Sequence, residues 1–145
     1  MELFKVMLSW LFRITLAIIF IWAGIEKLLR PNEFFEAVEN YQIIHGKLAL
    51  FVAYMLPPLE ITCGLALLTR RYMHAGLILA ALMIVVFIIA IFSAWMRGLD
   101  INCGCFGGGD SSSYAAIIFR DFVLLLITGW IYFTVRYRQN SKIAV

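Results

Sequence analysis

Ala75-Gly76-Leu77-Ile78-Leu79-Ala80-Ala81-Leu82-Met83-Ile84-Val85-Val86-Phe87-Ile88-Ile89-Ala90-Ile91-Phe92-Ser93-Ala94-Trp95-Met96 contains no charged residue. As a helix it is long enough to cross the ~30 Å of a bilayer's hydrocarbon core. Three further apolar stretches, less pure, run over about 7–29, 48–69 and 114–135. The chain of 145 residues is 63% hydrophobic and 14% charged, with a mean hydropathy of +0.92. A soluble domain would carry roughly a quarter charged residues. These features predict an all-α fold: a four-helix transmembrane bundle formed by residues 1–145 as one membrane domain. No repeat, low-complexity tract or linker divides it. The first stretch is too long for a cleaved signal peptide, and charged residues stand where a small-residue cleavage site would lie.

Charge sets the expected orientation. Lys5 and Arg13 flank the first span, Arg70-Arg71 separate the second and third, and Arg136, Arg138 and Lys142 follow the fourth. In a four-span bundle these regions share one side, which the positive-inside rule makes cytoplasmic, with both termini inside. On the other side, Lys27, Arg30, Lys47 and Arg97 are offset by Glu33, Glu36, Glu39, Asp100 and Asp110. The net charge of +3 is therefore a topology signal, not a nucleic-acid surface. The implied location is a bacterial inner (cytoplasmic) membrane.

Leu29-Arg30-Pro31-Asn32-Glu33 ends the first span. Proline stops the helix, and Asn32 is placed to cap a new one with Glu33 in its first turn. Phe34, Phe35, Val38 and Tyr41 then fall near one face, which predicts a short interfacial helix in the first outer loop. Pro57-Pro58 in the second span predict a kink or short unwound section. Glu60 follows, roughly 18 Å below the outer end of its helix. At that depth a carboxylate is protonated, paired or near water. Arg120-Asp121 lie about two turns into the fourth span, and adjacent helical residues point roughly 100° apart. One arrangement pairs Arg120 with Glu60 and Asp121 with Lys27. Such a network either bolts the helices together or forms a polar pocket for substrate or protons.

Asn102-Cys103-Gly104-Cys105-Phe106-Gly107-Gly108-Gly109-Asp110 joins the third and fourth spans. The charge bias puts it on the outer face, where disulfides persist. Residues i and i+2 come within the roughly 4.4–6.8 Å of a disulfide only in a bent backbone, which Gly104 permits. So small a ring is strained, and strained exposed disulfides are the exchangeable ones. A structural disulfide here would close almost no loop. A metal site would need ligands beyond Cys103 and Cys105, with His45 the one within reach and His74 on the inner side. Idle thiols are the third alternative. Arg97 nearby favours a thiolate and Asp100 opposes it. Cys63, one turn beyond Glu60 and roughly 22 Å deep, reads as a small packing residue.

The chain resembles the DoxX-like superfamily of four-helix membrane proteins and, within it, the methylamine-utilisation MauE type. The markers are Ala23-Gly24, Lys27-Leu28 and Pro31, then Phe34 and Tyr41, and Leu56-Pro57 with Glu60 and Gly64-Leu65. Arg97-Gly98 leading into Cys103-Gly104-Cys105-Phe106-Gly107, with Arg120-Asp121, completes the set. Asp121 departs from the asparagine common at that place.

The resemblance implies maturation of disulfide-rich periplasmic proteins, in methylamine utilisation the dehydrogenase small subunit. It also implies a thioredoxin-like partner and relay of redox equivalents through the cysteine pair. The leading expectation is a membrane thiol–disulfide oxidoreductase with Cys103 and Cys105 catalytic, a disulfide-bearing client, and a membrane quinone as the natural electron acceptor. By analogy with other four-helix disulfide-forming enzymes, Lys27, Glu60 and Arg120 would line or support its pocket, with Arg97 and Asp121 as further supporting residues. Two other readings stand beside it. One is a non-enzymatic assembly factor or scaffold; the other is a small-molecule or metal carrier.

Overall fold

The computed structural model describes residues 2–99 and 114–143, with side-chain environments for 7–99 and 116–136. The described chain is helical throughout its regular structure: α1 (Glu2–Leu29), α2 (Pro31–Asn40), α3 (Lys47–Leu68), α4 (Met73–Met96) and α5 (Tyr114–Ile143). Four segments are long and apolar enough to span a membrane: Met7–Leu29, Lys47–Leu68, Met73–Met96 and Ala116–Arg136. Large apolar side chains stand exposed along all four, as on Ile18, Phe51, Val86 and Phe133. An aqueous surface would penalise that array, whereas lipid solvates it.

The core is a thin seam of small and branched residues. Leu16, Ala17, Phe20, Cys63, Leu67, Leu77, Ala80 and Ile131 pack along it. Between α1 and α3 the backbones approach closely at Gly24. A Cβ there would lie 2.8 Å from the Pro57 carbonyl oxygen and 2.7 Å from Ile61 Cγ1. Small residues permit such contact, and the dispersion gained replaces the hydrophobic drive that lipid does not supply. Cys63 is buried in this seam, and its thiol donates to the Gly76 carbonyl at 3.4 Å. That is a packing role.

The short helix is present as expected, although it starts differently. Pro31 occupies its first turn, Arg30 is the N-cap residue, and no side chain caps it. Asn32 is thus inside the helix. Proline at the first position needs no donor and carries the helical φ already. Phe34 and Val38 pack against Ala49 and Ala53 of α3, while Glu33 and Glu36 face outward. Pro57-Pro58 produce no unwound section, since α3 is continuous through both.

Arg13 is a third departure. It does not flank the membrane as a surface charge but is only 4% exposed. Its guanidinium donates to the Leu68 carbonyl (3.4 Å) and the Met73 sulfur (2.9 Å), and lies 4.1 Å over the Trp10 ring. It thereby ties the α3–α4 turn to α1.

Candidate functional site

Lys27, Glu60, Arg120 and Asp121 meet at one cavity. The cavity holds about 130 Å³ and is walled by Phe20, Ala23, Ile84, Phe87, Ile91 and Leu124. Each polar member comes from an apolar helix. Gly24 lets α1 and α3 touch one turn before Lys27, and its position would put a Cβ 3.2 Å from Glu60 Cβ. That proximity brings the Lys27 ammonium onto Glu60.

The pairing differs from the cross-bundle arrangement expected from sequence. Lys27 Nζ donates to Glu60 Oε1 at 2.5 Å, and the two residues are 2% and 1% exposed. Arg120 folds back on its own neighbour: Nε and Nη2 donate to Asp121 Oδ1 at 3.0 and 2.9 Å. Adjacent helical residues do point apart, but an arginine is long enough to curl across that angle. Arg120 is half-exposed, whereas Asp121 is 6% exposed. Two ion pairs therefore sit side by side at one cavity, each within reach of the other's wall.

Lys27 is further enclosed by aromatic rings. Its ammonium is 5.3 Å from the centroids of both Phe34 and Phe87. The negative faces of those rings favour a buried cation. Their part in the site was hidden in the sequence, because it depends on α2 folding back over α1 and α3. Opposite them, Glu60 Oε2 is buried and accepts no hydrogen bond from the described residues. An unpaired buried carboxylate oxygen is costly, which makes it an anchor for a donor entering the cavity.

Arg97 sits apart from this cluster and fixes the end of the bundle. Its Nη1 and Nη2 donate to the Gln42 and Tyr41 carbonyls at 3.1 and 2.5 Å, and Nε donates to Ser93. Gly98 adopts φ +64°, with Gly98 N–H on Trp95 and Leu99 N–H on Ala94. This pair of bonds is the glycine-terminated helix stop in which a left-handed residue satisfies the last carbonyls. The Arg97-Gly98 pair thus ends α4 and clamps it to the α2–α3 connection. Cys103, Cys105 and Asp100 lie outside the described residues. The chain segment that carries them joins the end of α4 to the start of α5, the end of the bundle that bears α2.

The model of the family "Methylamine utilisation protein MauE" matches residues 5–134. The chain belongs to this family. Three relatives bearing the name methylamine utilization protein MauE agree. That of Paracoccus denitrificans is 30% identical over 124 residues, covering 84% of this chain and 67% of the relative. The protein of Methylophilus methylotrophus is 36% identical over 90 residues, covering 61% and 47%. For Paracoccus versutus the identity is 30% over 120 residues, covering 81% and 64%. The chain thus spans about two thirds or less of the length of these MauE relatives. No solved structure matches it. The match includes every residue of the buried cluster and the Cys103-Gly104-Cys105 segment.

Proposed function

We propose that this MauE-family chain is a membrane thiol–disulfide oxidoreductase or relay supporting maturation of periplasmic proteins in methylamine utilisation. Cys103 and Cys105 are its exchange pair, and the wider placement is the DoxX-like superfamily. The observation carrying this reading is the convergence of Lys27, Glu60, Arg120 and Asp121 on one cavity. That cavity reaches from Glu60, in the middle of α3, towards Lys27 and Arg120, near the bundle end to which the cysteine segment is tethered.

A client dithiol attacks the Cys103–Cys105 disulfide, forming first a mixed disulfide and then the client's own disulfide. Two electrons pass to the protein, which is left with two thiols. Regeneration removes two electrons and two protons, which a thioredoxin-like partner in its disulfide form or a membrane quinone would accept. At about 130 Å³ the cavity is on the scale of a bare six-membered ring, since an apolar cavity of about 150 Å³ takes one benzene. Lys27 offers donors to a ring oxygen, and Glu60 Oε2 offers an acceptor to a hydroxyl. A quinone bound there supplies two-electron acceptance. Glu60 and Asp121 are the carboxylates available to move its protons.

Orientation follows from charge. Arg70, Arg71 and Arg136 mark the end opposite α2, which supports cytoplasmic termini, an inner-membrane location and a periplasmic cysteine segment. A second reading, an assembly factor docking a periplasmic partner, draws on the closed Lys27–Glu60 pair, which joins α1 to α3 without any ligand. Replacing Cys103 and Cys105 together by serine separates the two. The redox reading expects clients to accumulate as thiols in cells carrying that variant; clients fully oxidised at normal protein levels would support the assembly factor instead.

A further inference from the structure

A second, larger cavity of about 430 Å³ lies beneath α2, between α3 and α4. Its lining is apolar and includes Phe34, Val38, Val52, Leu56, Leu82 and Val86. Phe87 lines this groove and the polar cavity alike. Phe34, which lines the groove, and Phe87 are the two rings equidistant from Lys27. The two spaces therefore adjoin at Phe87. One side has the dimensions of a single ring and carries a buried acceptor without a donor, Glu60 Oε2. The other side is long, greasy and bordered by lipid-exposed Leu82 and Val86.

We propose that the groove receives the apolar tail of the molecule whose ring-sized, hydrogen-bonding head enters the Lys27–Glu60 cavity. The ligand class is a tailed one-ring amphiphile delivered from the bilayer, and the reading rests on the quinone assignment made for the cavity. An ordinary phospholipid tail fills a groove equally well by hydrophobicity, because lipid is as apolar as the lining. What distinguishes the proposed occupant is coupling: the head is held by Glu60 and Lys27, and the tail by the groove. Ala90 lies on the groove wall, and a large side chain there takes up tail space without touching the ion pair.

The test uses the full chain in phosphatidylcholine vesicles and a hydroquinone, kept reduced under argon, whose alkyl tail carries a diazirine. Irradiation is expected to label Leu82, Val86 or Val52. Excess tailless hydroquinone should compete, and Glu60→Gln, which weakens the acceptor for its hydroxyl, should weaken the labelling. Ala90→Trp should weaken the tailed probe at least about tenfold, in the range of small volume changes in apolar pockets, while leaving tailless binding within about twofold. Labelling spread over outward residues such as Phe119 and Phe133 would overturn the proposal. So would groove labelling indifferent to Glu60→Gln and to the tailless competitor, since that pattern belongs to bilayer acyl chains. The wild-type labelling map decides the matter even if Ala90→Trp fails to fold. Tailless binding without tail dependence would sink the groove assignment and leave the quinone reading standing. Tail-dependent binding alongside normal client oxidation in the Cys103→Ser, Cys105→Ser variant would sink the redox function and leave the groove standing.

Discussion

Two cations are buried on α1, about four turns apart, and they meet partners of different kinds. Arg13 meets neutral partners: the last carbonyl of α3, the sulfur of Met73 and the Trp10 ring. Lys27 meets a carboxylate, two aromatic faces and a cavity. The first arrangement closes a turn. The second leaves a donor and an acceptor facing a space of one-ring size. Burial of charge in a membrane helix is therefore not one signal but two, and what lies opposite the charge tells them apart.

The largest effect should come from breaking the Lys27–Glu60 pair on one side. Lys27→Leu leaves Glu60 buried without its cation, and such a loss costs about 3–5 kcal/mol. Lys27→Leu with Glu60→Leu should recover most of that stability, because an apolar pair of similar volume replaces the ion pair. Thermal unfolding in detergent measures both. If the double variant regains stability yet clients stay reduced in cells, the pair belongs to a functional site; if client oxidation also returns, it is a bolt. Arg97→Lys comes next. It keeps the charge but loses the fork that spans the Tyr41 and Gln42 carbonyls, at a cost of about 1–2 kcal/mol. Arg13→Leu should cost about 1 kcal/mol, since its hydrogen bonds are to neutral groups and one is long. Client oxidation per folded molecule should be unchanged in Arg13→Leu, and a selective loss of oxidation would erase the contrast between the two ends.

Much of the bundle was legible in the sequence, because a charge-free run such as Ala75 to Met96 has one physical solution in lipid. The short helix was legible from its proline and its two-faced pattern, and the cavity residues from being ionisable at membrane depth. Their pairing was not. Whether Lys27 meets Glu60 or Asp121 depends on helix rotation and on the close approach at Gly24, which no local pattern encodes. Arg13 was misplaced for a related reason: it lies near the span's end, and only the position of the α3–α4 turn reveals that it is buried. Asn32 is a common capping residue, yet the helix starts two positions earlier, with Arg30 as its N-cap, because proline is already set for the first turn. Phe34 falls on one face of the short helix and Phe87 inside the charge-free run, and only the fold brings both to the Lys27 ammonium.

The contrast between a closed end and a reactive one rests finally on Cys103 and Cys105. The most direct measurement is capture of mixed disulfides in cells bearing Cys103→Ser or Cys105→Ser, with alkylation at harvest and mass spectrometry of what is attached. The account predicts that one of the two variants carries a covalently bound periplasmic thioredoxin-like protein or disulfide-bearing client, released by reductant. Stable, correctly inserted protein with neither variant ever found attached to another thiol would contradict it.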